Sequence, residues 1–91
     1  MRNEILKKIH NNKLNIAIIG LGYVGLPLSL LLSKKNQVIG IDIDKKKIDH
    51  LNLGRSYLER IENKKINHFK KKNIFSSDFS KINKCDFIII C

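Results

Sequence analysis

Apolar residues along this chain fall in short blocks separated by polar ones. Residues 15–19, Asn-Ile-Ala-Ile-Ile, form a brief continuous run. Such a run, β-branched and not alternating, suits a strand covered on both faces. In residues 23–34, Val24, Leu26, Leu28, Leu30, Leu31 and Leu32 fill most of a helical surface. A helix that apolar is expected to be buried against a sheet, with further cover from a neighbouring domain. Pro27 falls in its first turn, where a missing N–H costs little. Residues 38–41 predict a second strand. A second helix is expected over residues 45–53, with Ile48, Leu51 and Leu53 facing inward, Asp44 as N-cap and Gly54 as C-cap. After an irregular stretch over residues 55–61, residues 62–72 predict a third helix with Ile66 and Phe69 as its apolar edge. Residues 73–76 suit a weak third strand, and residues 80–83 a short turn or helix. Residues 86–91 suit a fourth strand, whose Phe-Ile-Ile-Ile run demands burial. Residues 1–14 are polar and lysine-rich, an N-terminal extension expected as an amphipathic helix or a frayed lead-in.

Strands alternating with helices predict the α/β class, a Rossmann-like doubly wound parallel sheet. Right-handed crossovers would give about four strands in the order 3-2-1-4. Such a domain has roughly 150 residues, so residues 15–91 are expected to be its N-terminal part, with the substrate domain absent.

The junction between the first strand and first helix carries chemistry. Gly20, Leu21, Gly22, Tyr23, Val24 and Gly25 spell G-x-G-x-x-G directly after a strand. The first glycine permits a tight turn, the second lets a pyrophosphate approach the backbone, and the third lets helix and strand pack closely. N–H groups around Tyr23 and Val24 would face the phosphates at the positive end of the helix dipole. A plain strand–helix turn is the alternative reading of the same glycines. Asp42 ends the second apolar run 22 residues beyond Gly20. There a carboxylate can accept both adenosine ribose hydroxyls and repel a 2′-phosphate, which favours NAD over NADP. Asp44 is the rival acid, better suited to capping. Lys45, Lys46 and Lys47 occupy a helix start, the wrong end for cations. Either an anionic ligand lies nearby, with Lys47 turned towards the adenosine half, or these lysines reflect composition.

Composition changes this picture little. The net charge is +10, yet Lys, Asn and Ile dominate (15, 10 and 16 residues) against three Arg. The lysine runs fall on expected polar helix faces without interleaved aromatics, so no nucleic-acid partner is expected. No apolar stretch approaches the ~18–20 residues of a membrane span. Cys85 and Cys91 fit neither a zinc pair nor a redox C-x-x-C motif, and are expected to be buried thiols of a reduced, cytoplasmic protein. His10, His50 and His68 have no metal or triad spacing, and no catalytic group is expected in this segment.

The string Ile-Gly-Leu-Gly-Tyr-Val-Gly-Leu-Pro-Leu over residues 19–28 resembles the opening of the UDP-sugar 6-dehydrogenases, the UDP-glucose and UDP-mannose/UDP-N-acetylhexosamine dehydrogenase family. Residues 39–48 resemble that family's second strand and helix. The resemblance implies that Asp42 binds the adenosine ribose and that Lys47, five positions on, also contacts NAD. Residues 54–61 (Gly-Arg-Ser-Tyr-Leu-Glu-Arg-Ile), 77–80 and 85–91 resemble a narrower branch, the UDP-N-acetylglucosamine 6-dehydrogenases of bacterial surface-polysaccharide pathways. A Tyr-Glu-Pro-Gly-like stretch typical of UDP-glucose enzymes is absent. For the full-length protein the resemblance implies a homodimer that oxidises the sugar C6 alcohol to a carboxylate with two NAD. It also implies a catalytic cysteine, assisted by lysine, asparagine and aspartate, all downstream of Cys91.

Overall fold

The computed structural model describes residues 14–91; the expected N-terminal extension and His10 lie outside these residues apart from Leu14. Strand β1 (Asn15–Ile19) is the second strand from one edge of a four-stranded sheet, with Ile16, Ala17 and Ile18 fully or almost fully buried. It pairs in parallel with β2 (Gln37–Ile41), from Asn15 opposite Gln37 to Ile19 opposite Ile41. On its other side runs β4 (Phe87–Ile90), also parallel. Beyond β2 lies β3 (Ile74–Ser76), so the order is β3-β2-β1-β4, as the alternation of elements predicts.

Helices connect the strands. Helix α1 (Gly25–Leu32) buries Gly25, Leu26 and Ser29. The Ser29 hydroxyl donates back to the Gly25 carbonyl at 2.7 Å, which lets a polar residue sit fully buried. Leu28, Leu30 and Leu32 pack partly against the core, whereas Leu31 is exposed. Burial of α1 is thus narrower than its sequence predicts, because its outer side has no cover among the described residues.

Helix α2 (Lys45–Asn52) begins at Asp44, whose carboxylate accepts from the N–H groups of Lys46 and Lys47. It ends in a Schellman turn. Gly54 N–H donates to the Leu51 carbonyl, Arg55 N–H donates to the His50 carbonyl, and Gly54 has φ +78°. Helix α3 (Asn63–Lys70) buries Ile66 and Phe69. The rings of Phe69 and Phe75 stack at 4.5 Å, tying α3 to β3. Buried Asn73, just before β3, joins α3 to β2. Its Oδ1 accepts from Val38 N–H at 2.7 Å and its Nδ2 donates to the Phe69 carbonyl. A six-residue 3₁₀ helix (Phe79–Lys84) leads into β4.

Three expectations need correction. Leu53, expected to face inward, follows the last turn of α2 as its C-cap and is exposed. The Phe-Ile-Ile-Ile run of β4 is not buried: Phe87, Ile88 and Ile90 are exposed, and only Ile89 packs on the core. The strand lies at the sheet edge with β1 as its sole described neighbour. Its flanking thiols share that position, so Cys85 is half-buried and Cys91 exposed. Burial and the nearby Asp86 charge push the Cys85 thiol pKa up.

Candidate functional site

The site stands at the carboxyl ends of β1 and β2, where the chain leaves the sheet. Gly20 turns sharply with φ +97°, a left-handed conformation that disfavours a side chain. Its N–H donates to the Ile41 carbonyl at 2.8 Å, binding the turn to the end of β2. Gly25 is demanded by contact. A Cβ there would lie 1.6 Å from the Gly20 carbonyl oxygen, so α1 can start against the turn only as glycine. Gly22 differs from both, since a Cβ there would meet nothing within 4 Å. No atom of the described residues explains that glycine, and the space before it is open to a ligand. Between them, Val24 caps α1 without a side-chain acceptor. Among the described residues the N–H groups of Gly22, Tyr23 and Val24 have no protein acceptor. Tyr23 and Val24 point their side chains to solvent.

Asp42 lies just past β2 and is 8% exposed. One carboxylate oxygen accepts from Leu21 N–H at 2.8 Å and the other from Asp44 N–H at 2.9 Å. An ionised carboxylate offers about four lone-pair directions, so each oxygen can still accept from a ligand hydroxyl. Asp42 therefore has a structural duty that spacing did not reveal: it ties the glycine turn to the end of β2. Asp44, by contrast, spends its carboxylate on the α2 N-cap and is exposed. Asp44 thus stands as the cap the sequence predicts, and Asp42 is the acid with oxygens left to accept further.

Lys47 lies in the first turn of α2 with its ammonium 5.7 Å from the centroid of the Tyr57 ring, a cation–π distance. Tyr57 was no candidate from sequence, because it falls in the irregular stretch after α2. Its hydroxyl donates to the Leu21 carbonyl inside the glycine turn. Partial burial raises the phenol pKa, and the charges of Asp42 and Asp44 raise it further. Tyr57 is thus a neutral hydrogen-bond donor at physiological pH. The fold brings Gly20–Gly25, Asp42, Lys47 and Tyr57 together; His50 joins the edge of this group, its ring 6.2 Å from that of Tyr57. Lys45 and Lys46 remain on the solvent side. Among the described residues no cluster of His, Cys, Asp and Glu could hold a metal ion. None of their helices is long and apolar enough to cross a membrane.

These donors fit a dinucleotide. Free amides and an open glycine face suit a diphosphate, and a strand-end carboxylate suits a ribose diol. Comparison with known proteins agrees. Residues 14–91 match the UDP-glucose/GDP-mannose dehydrogenase family, NAD binding domain. UDP-N-acetyl-D-glucosamine 6-dehydrogenase of Salmonella typhi is 43% identical over 82 residues, 87% of this chain and 18% of that protein. Among solved structures, UDP-D-ManNAc dehydrogenase from Pyrococcus horikoshii has a TM-score of 0.77 at 26% identity, over 85% of this chain and 19% of that one. GDP-mannose dehydrogenase from Pseudomonas aeruginosa gives 0.72 at 32% identity, over 84% of this chain and 19% of that one. The chain spans less than a fifth of the length of these proteins. It belongs to the UDP-glucose/GDP-mannose dehydrogenase family, as part of the NAD-binding domain that its turn, strand-end acid and sheet order describe.

Proposed function

We propose that this chain is the front part of an NAD-dependent UDP-sugar 6-dehydrogenase acting on UDP-N-acetylglucosamine. The full-length enzyme would oxidise the C6 alcohol to the uronic acid with two NAD, NAD serving as hydride acceptor. Gly20, Leu21, Gly22, Tyr23, Val24 and Gly25 would hold the diphosphate, Asp42 the adenosine ribose, and Lys47 the adenosine side. The observation that carries the NAD assignment is the open face of Gly22 beside amides without protein acceptors, next to a buried strand-end carboxylate. The choice of sugar is supported by the name of the Salmonella relative and by residues 54–61. The segment adds no catalytic group of its own, and the domain boundary at residue 15 belongs to the same reading. We infer a homodimer from the family resemblance and a cytoplasmic location from the two free thiols.

The test is NADH formation by the full-length protein with UDP-N-acetylglucosamine, UDP-glucose and UDP-N-acetylmannosamine in turn. Two NADH per sugar, with the first substrate preferred, is the expected result. Preference for UDP-glucose or UDP-N-acetylmannosamine would move the assignment within the family. NAD binding without turnover of any sugar would turn the reading to a non-catalytic nucleotide sensor. The ribose assignment has its own test: Asp42→Ala should weaken NAD binding much more than Asp44→Ala. Equal loss would mean that Asp42 is not the ribose acid.

A further inference from the structure

Leu21 is held on both sides of its backbone. Its N–H donates to Asp42 at 2.8 Å and its carbonyl accepts from the Tyr57 hydroxyl, while its side chain is fully buried. The carbonyl belongs to the peptide unit that supplies the Gly22 N–H. None of the described peptide bonds is cis. In a planar trans peptide the C=O and N–H point in opposite directions. Fixing the Leu21 carbonyl therefore fixes the direction of the Gly22 N–H, one of the amides with no protein acceptor. A hydrogen bond to that carbonyl also polarises the peptide and strengthens its N–H as a donor. The other arm of Tyr57 is its ring, which lies beneath the Lys47 ammonium.

Tyr57 thus touches two site residues that are 26 positions apart in sequence, Leu21 and Lys47. We propose that Tyr57 is a positioning residue of the dinucleotide site. Its hydroxyl aims the diphosphate-binding amide of Gly22, and its ring holds Lys47 on the adenosine side. This inference rests on the NAD reading of the glycine turn. The two arms act on different parts of the ligand and can be separated. Tyr57→Phe removes the hydroxyl and keeps the ring; Tyr57→Leu removes both.

The experiment measures dissociation constants of NAD, ADP-ribose and adenosine for the full-length protein and these variants, with Gly22→Ala in parallel. Tyr57→Phe is expected to weaken NAD and ADP-ribose about fivefold, the worth of one hydrogen bond, and to leave adenosine unchanged. Tyr57→Leu is expected to weaken adenosine as well, and phenylalanine at this position to restore it. A merely structural role would lower the affinity for all three ligands alike in Tyr57→Phe, and that outcome overturns the proposal. So does unchanged NAD binding in Tyr57→Phe when Gly22→Ala binds NAD poorly. If Gly22→Ala also binds NAD normally, the reading of the turn itself falls. Should Tyr57→Leu fold poorly, Lys47→Ala tests the ring arm with the hydroxyl in place. It is expected to weaken adenosine, and an unchanged adenosine affinity would remove that arm.

Discussion

Both edges of the sheet are apolar and both expose side chains, Ile74 at β3 and Phe87, Ile88 and Ile90 at β4, yet the β3 edge is the better covered. At the β3 edge, Phe75 is 4% exposed, stacked on Phe69 of α3, and Asn73 stitches the strand's approach to β2 and α3. At the β4 edge, Phe87, Ile88 and Ile90 are exposed although their run is the more hydrophobic. Hydrophobicity states a demand for cover, whereas burial depends on whether another element supplies it. The candidate site lies between these edges, at the ends of β1 and β2. The groups proposed for its adenosine side come from elements packed towards the β3 edge, α2 and the stretch carrying Tyr57. The groups proposed to hold NAD therefore stand in place while most of β4 remains exposed among the described residues.

Substitutions at the two edges should sharpen this contrast most. Phe75→Ala is expected to destabilise the protein by about 3–5 kcal/mol through loss of a buried ring. Ile90→Ala should stay within about 0.5 kcal/mol because that side chain packs on little. Urea unfolding of both variants measures the difference, and equal losses would mean that β4 is covered in solution. Next in size is the pair of turn glycines. Gly25→Ala drives a methyl into the Gly20 carbonyl and should cost about 1–3 kcal/mol, together with NAD affinity. Gly22→Ala should leave the unfolding midpoint unchanged and weaken NAD roughly tenfold or more. A stability loss at Gly22 as large as at Gly25 would contradict its open face.

A smaller effect is expected at the α2 cap. Asp44→Ala removes the acceptor for Lys46 and Lys47 and should cost about 1 kcal/mol by thermal unfolding, with only a slight change in NAD affinity. The smallest effect is in pH dependence. The phenol of Tyr57 is raised above its ordinary value of 10.0, first by burial and then by Asp42 and Asp44. Above pH 10 the unfolded chain loses this proton before the folded one does, so the group's stabilising contribution falls as pH rises. The stability difference between the native protein and Tyr57→Phe should be flat up to about pH 10. It should then shift in favour of the phenylalanine variant. A difference independent of pH would mean that Tyr57 is not held as a neutral phenol.

Much of the site was legible because its signals are local. The roles of Gly20, Gly22 and Gly25 depend on a strand running directly into a helix, and their spacing states that junction. Asp44 as cap and Gly54 as helix terminator depend only on neighbouring backbone geometry, and both stand where expected. Asp42 is singled out by its strand-end position, but its bond to Leu21 spans 21 residues and no spacing rule announces it. Tyr57 escaped altogether. It follows a helix, in a stretch with no periodicity, and meets its partner across 36 residues.

By itself the sequence determined the α/β class, the strand order 3-2-1-4, the glycine turn and the strand-end acid. These follow from periodicity, chain connectivity and the steric needs of a few backbone positions, all of which act over short distances. Only the tertiary structure decided that Phe87, Ile88 and Ile90 of β4 lack cover among the described residues, that both cysteines escape deep burial, and that Tyr57 closes over Leu21 and beneath Lys47. Those outcomes depend on which element lies beside which, a relation between residues distant along the chain that hydrophobic pattern cannot express.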